Sequence, residues 1–180
     1  MNYSIIFKII GWVIQLEGIF FLPPALTGLI YKEYKDALIY LILGILCITI
    51  GGLIRLHKPA KTTFFAKEGF VAVALSWIVM SAVGALPFVL TGDIPSYPDA
   101  LFEIISGLTT TGSSILTNVE ALSHANLLWR SFSHWIGGMG VLVFIMAFMQ
   151  LSGGQNMHLM KAESPGPSVS KLVPRVRTTA

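Results

Sequence analysis

Three stretches of this chain, residues 37–54, 69–92 and 131–160, contain no Asp, Glu, Lys or Arg. A fourth, residues 5–31, carries only Lys8 and Glu17. About 17–25 apolar residues suffice to cross the hydrocarbon core of a bilayer as a helix. Backbone in lipid must pair with itself, so such runs specify helices. Only 12% of the residues are charged and 54% are hydrophobic, whereas a water-facing globular domain carries about a quarter charged residues. The expectation is an all-α integral membrane protein: an N-terminal helix pair followed by one helix–pore-loop–helix unit, with four spans and one re-entrant pore helix.

Charge distribution sets the orientation. Lys32, Glu33, Lys35 and Asp36 form a short mixed connector after the first span. Arg55, His57, Lys58, Lys61 and Lys67 follow the second, opposed by Glu68. The positive-inside rule places that loop in the cytoplasm. The N-terminus with Lys8, and the basic tail with Lys161, Lys171, Arg175 and Arg177, are then cytoplasmic as well. The acidic, lysine-free turn Asp93-Ile94-Pro95-Ser96-Tyr97-Pro98-Asp99 falls outside. Residues 1–68 are read as the helix pair and its cytoplasmic loop, 69–160 as the span–loop–span unit and 161–180 as a cytoplasmic linker. No small-residue cleavage site follows the first apolar run, so no signal peptide is expected. Nothing resembles a nucleic-acid module, and lipid is the expected surrounding.

Within the spans, Pro23-Pro24 should kink the first helix or end its regular part, since each proline removes a backbone donor. Gly44, Gly51 and Gly52 leave flat faces for close helix approach. Glu17 lies mid-span, where an ionisable residue is either functional or a protonated or hydrogen-bonded packing group. Cys47 reads as a small buried hydrophobe. Trp129 and Trp135 are interfacial anchors or packing residues.

Between the third and fourth apolar runs, residues 99–108 read as a helix of about 15 Å at 1.5 Å per residue, half a bilayer core. Pro98 suits its first turn and Asp99 complements its positive end. It stops at Thr109-Thr110-Thr111-Gly112-Ser113-Ser114. If this run lies at membrane depth, its carbonyls have no helical partners and a dehydrated cation can take them as ligands. Gly112 permits a positive φ there. An ordinary polar external loop is the competing reading. Glu103, mid-helix, needs a partner, and Arg130 and His134 on the next span are candidates. Glu103 is then a brace for the loop rather than an ion ligand. No second ligand lies at metal spacing from His134.

The chain carries Gly84-Ala85-Leu86-Pro87-Phe88, Phe102-Glu103, Ser106-Gly107-Leu108-Thr109-Thr110-Thr111-Gly112, Trp135-Ile136-Gly137-Gly138-Met139-Gly140 and Ala162-Glu163-Ser164-Pro165-Gly166-Pro167. Together these motifs resemble the membrane subunit of Trk-type potassium uptake systems, the TrkH branch of the Trk/Ktr/HKT superfamily. The resemblance covers essentially the whole chain, including Leu22-Pro23-Pro24 in what looks like the branch's extra N-terminal helix pair. It implies K⁺ uptake with no organic cofactor. It also implies a bacterial inner membrane location, a homodimeric full-length protein and a cytoplasmic nucleotide-binding ring subunit as partner. It makes Thr110, Thr111, Gly112 and Ser113 one quarter of a K⁺ filter, with backbone carbonyls as ligands. Serines at 113 and 114 stand where some members have alanine and threonine, which leaves Na⁺ against K⁺ preference open, with Gly112 favouring K⁺. One unit cannot enclose an ion, so either three further units belong to a longer protein or four copies assemble, and the first is favoured. A non-conducting scaffold is the alternative. An intramembrane serine hydrolase using Ser113 or Ser114 with His134 is disfavoured, because no Gly-x-Ser-x-Gly elbow is present.

Overall fold

The computed structural model describes residues 3–56 and 66–140. Among these, every regular element is helical. The expected cytoplasmic loop residues His57, Lys58 and Lys61, the fourth apolar run beyond Gly140, and the 161–180 linker lie outside the described residues.

The first apolar run forms two helices, α1 (Tyr3–Phe20) and α2 (Leu22–Ile30). The interruption at Phe21 is slight. Phe21 keeps a right-handed helical conformation. Its amide bonds to the Glu17 carbonyl at 3.1 Å, and its carbonyl accepts from Ala25 at 3.2 Å. Pro23 and Pro24 sit in the first turn of α2, where their missing donors are not needed. The two helices together are long and apolar enough to cross a membrane, as is α3 (Tyr34–Leu56). The turn between them closes through a left-handed residue, Lys32 at φ 64°. The Glu33 amide reaches the Gly28 carbonyl at 2.7 Å and the Lys32 amide the Leu29 carbonyl at 3.3 Å, the paired closure that commonly ends a helix.

Glycines set how closely α1 and α3 pack. A Cβ on Gly18 would stand 2.7 Å from the Gly44 carbonyl oxygen, and one on Gly11 3.0 Å from that of Gly51. The two contacts are seven residues apart on each helix and run in opposite directions, as an antiparallel pair requires. Gly44 and Gly51 were legible as a flat face. Their counterparts on α1 are Gly11 and Gly18.

The next run also breaks at a proline, into α4 (Ala66–Gly84) and α5 (Leu86–Thr91). Residues 68–91 make the third candidate crossing. Then come α6 (Tyr97–Leu108), a single 3₁₀ turn (Val119–Ala121) and α7 (His124–Met139). The α6 helix begins two residues before the expected Asp99, with Pro98 in its first turn. The α7 helix begins at His124, ahead of the uncharged run at 131, because the Ser123 hydroxyl caps it by accepting from the Asn126 amide at 3.4 Å.

The helix pair is fastened to the rest by polar contacts at one end of the bundle. Glu33 accepts from the His124 and Ala125 amides at 3.0 and 3.1 Å, filling orphan donors of α7. The His124 ring stacks on Tyr31 at 3.9 Å between centroids. Deeper in, the Tyr40 hydroxyl donates to Asn126 Oδ1 at 2.6 Å, and Asn126 Nδ2 donates to Thr91 and Asp93 at 2.8 and 2.7 Å. Trp129 is a core residue, not an interfacial anchor. It is 1% exposed, lies against Phe21 and Tyr40, and donates from Nε1 to the Gly84 carbonyl at 2.8 Å.

Candidate functional site

The site is built where α6 ends against α7. Small residues allow the approach. A Cβ on Gly107 would meet Ser133 Cβ at 3.1 Å, and one on Gly137 would stand 2.7 Å from the Leu108 carbonyl carbon and 3.0 Å from its Cα. The last turn of α6 therefore lies on α7, backbone to backbone at Gly137 and against the Ser133 side chain at Gly107.

Beyond Leu108 the chain leaves the helix by the same closure seen after α2. The Thr111 amide bonds to the Ser106 carbonyl at 2.9 Å, and the Thr110 amide to the Gly107 carbonyl at 2.9 Å. The left-handed position of this closure is usually glycine. Here it is Thr110, at φ 56°, and a β-branched residue in that region is strained. Such strain costs of order 1–3 kcal/mol and persists where the surroundings enforce it. Gly112 follows at φ 77° with open space where a Cβ would be. The positive φ expected at Gly112 is present. The one at Thr110 had no sequence signal, because threonine ordinarily avoids it.

The loop is held from behind. The Ser106 hydroxyl donates to the Ser113 carbonyl at 2.5 Å. Glu103 Oε2 accepts from the Ser114 hydroxyl at 3.0 Å and the Ile115 amide at 3.1 Å. Its Oε1 forms an ion pair with Arg130 Nε. Glu103 is thus buried with an ion-pair partner and two hydrogen-bond donors. Of its two candidate partners, Arg130 meets it. His134, one turn further along α7, instead pairs its Nδ1 with the Arg130 carbonyl at 2.9 Å. Thr109 and Thr111 join hydroxyl to hydroxyl at 2.8 Å, and Thr109 also donates to the Ile105 carbonyl at 2.8 Å.

Residues 109–114 lie exposed on the chain's surface. Among the described residues, the carbonyls of Thr110, Thr111 and Gly112 receive no hydrogen bond, while that of Ser113 does. The C-terminal end of α6 adds a partial negative charge just behind them. Such a surface favours a cation and offers it oxygen ligands. Ser114 and His134, one of the two serine–histidine pairs considered for a hydrolase, are committed to different partners.

Glu17 is buried among helices away from this loop, and its Oε2 has no partner among the described residues. Its Oε1 lies 3.1 Å from where a Gly84 Cβ would stand, so the carboxyl fills space that a side chain at 84 would need. Cys47 is also buried.

The family described as "TrkH: Cation transport protein" matches residues 39–180. The Trk system potassium uptake protein TrkH of Halomonas elongata is 36% identical over 183 residues, covering 100% of this chain and 38% of the relative. The protein of the same name from Escherichia coli K12 is 35% identical over 184 residues, with the same coverage. The E. coli K12 potassium uptake protein TrkG is 34% identical over 173 residues, covering 94% of this chain and 36% of the relative. The chain thus spans under two-fifths of the length of these relatives.

Proposed function

This chain belongs to the TrkH family of cation transport proteins, and on that premise we propose that it is the first part of a K⁺ uptake protein and supplies one quarter of its selectivity filter. The observation that carries the reading is the end of α6. A helix of 12 residues, about half a bilayer long at 1.5 Å per residue, runs into a backbone bonded only from behind. The carbonyls of Thr110, Thr111 and Gly112 are the ion ligands. Glu103 and Arg130 brace the loop, and His134 supports the helix that carries Arg130.

In this reading α6 enters the membrane from outside and the chain returns before α7, which opens the fourth span. Both ends of the chain are cytoplasmic. Residues 1–68 form the accessory helix pair, 69–160 the pore unit and 161–180 the linker to the next of three further units. A nucleotide-binding ring subunit docks on the cytoplasmic side of a homodimer in the bacterial inner membrane. Potassium is cargo, and the transport is not an enzymatic reaction.

The test is a bulky substitution of Gly112 in the transporter that contains this segment. Any side chain at φ 77° is strained, and relieving that strain would move the neighbouring carbonyls. Gly112→Leu is expected to abolish growth of uptake-deficient cells at low K⁺ while the protein still reaches the membrane. Full growth would refute the filter assignment.

A further inference from the structure

We propose that Ser106 is a positioning residue that fixes which carbonyls of the loop face the ion. The inference rests on the filter reading above and adds a ligand count to it. Ser106 sits in the last turn of α6 and is buried. It makes three bonds to the loop that follows. Its carbonyl accepts from the Thr111 amide at 2.9 Å and the Gly112 amide at 3.4 Å. Its hydroxyl donates to the Ser113 carbonyl at 2.5 Å. One side chain and its own backbone thus tie both ends of the turn to the helix.

The hydroxyl bond has a chemical consequence. It occupies the Ser113 oxygen with a proton donor and turns that carbonyl back toward α6. The carbonyls of Thr110, Thr111 and Gly112 carry no such donor among the described residues. The segment therefore offers an ion three consecutive carbonyls, and the fourth is withheld. Ser113, which the motif alone places among the ligands, belongs to the wall behind them. Discrimination between K⁺ and Na⁺ depends on the number and field strength of coordinating carbonyls. Releasing the Ser113 oxygen changes both.

The experiment measures K⁺ and Na⁺ uptake by Ser106→Ala and Ser106→Cys in the transporter that contains this segment, each normalised to membrane protein. Cysteine keeps the shape but is a weaker donor. The expected result is that K⁺ flux persists while the K⁺/Na⁺ ratio falls about fivefold in the alanine variant, the fold-change matching one lost hydrogen bond. The cysteine variant should lie between alanine and serine. Should Ser106→Ala fail to reach the membrane, the ratio in Ser106→Cys carries the test. An unchanged ratio, or an equal fall in both fluxes, overturns the proposal. Gly112→Leu in the same assay separates the two readings. If it alters transport and Ser106 variants leave the ratio intact, only the role of Ser106 fails. If Gly112→Leu also transports normally, the filter reading fails with it.

Discussion

Removing Arg130 should unfasten the loop from behind. The Glu103 side chain is fully buried and that of Arg130 is 17% exposed. Taking one partner from a buried ion pair costs about 3–5 kcal/mol, mostly from the charge left uncompensated. In Arg130→Met, Glu103 keeps the Ser114 hydroxyl and the Ile115 amide. The lower end, about 3 kcal/mol or roughly a hundredfold in the folding equilibrium, is therefore expected. Glu103→Gln is milder, about 1–2 kcal/mol, because an amide oxygen still serves the two donors and Arg130 reaches solvent. The double variant removes both charges. It should be less destabilised than the sum of the singles, with a coupling of at least about 1 kcal/mol. Unfolding of the purified transporter in detergent measures all three, and K⁺ uptake shows whether the loop follows. Additive singles, or an Arg130→Met variant within about 0.5 kcal/mol of the parent, would refute the brace.

Thr110→Gly should raise stability by roughly 1 kcal/mol, by relieving a β-branched residue in the left-handed region. It should also lower K⁺/Na⁺ discrimination as the loop gains freedom; a loss of stability would count against strain at this position. Glu33 predicts an acid-sensitive clasp. Partial burial pushes its carboxyl up, but bonds from the His124 and Ala125 amides and the His124 ring outweigh this and leave it below the ordinary glutamate range. A depressed carboxylate stabilises the fold fully above its unfolded value of about 4.3 and loses that contribution as pH falls through the lower folded value. Glu33→Gln should flatten acid unfolding in that window, followed by tryptophan fluorescence, and superimposable acid profiles would contradict the clasp.

Much of the framework was readable because each sign was local. Runs with little or no charge marked the three candidate crossings, Pro23 and Pro24 marked the first interruption, and Thr109 marked the end of α6. The site was readable in its parts and not in its wiring. Glu103 had to find a partner, yet choosing Arg130 over His134 depends on the rotation of α7 against α6, which Gly137 sets against the Leu108 backbone and Gly107 against the Ser133 side chain. Nothing in a threonine announces a left-handed backbone, so Thr110 was invisible until the closure around Ser106 forced it. Trp129 could be read from the sequence as an interfacial anchor or as packing, and only the fold decides for packing. Its burial comes from Phe21 and Tyr40, which belong to the N-terminal helices.

The contact between Glu33 and His124 joins residues 91 apart in the chain, and this ordering matters during synthesis. At about 5–20 residues per second, Glu33 leaves the ribosome roughly 5–20 s before the amides it will accept. The first hairpin can pack on its glycine seam during that delay. When α7 emerges, its first turn meets an acceptor already in place. The N-terminal pair thus acts as a scaffold in time as well as in space: a chain whose hairpin inserts late would present α7 with its orphan amides and no partner.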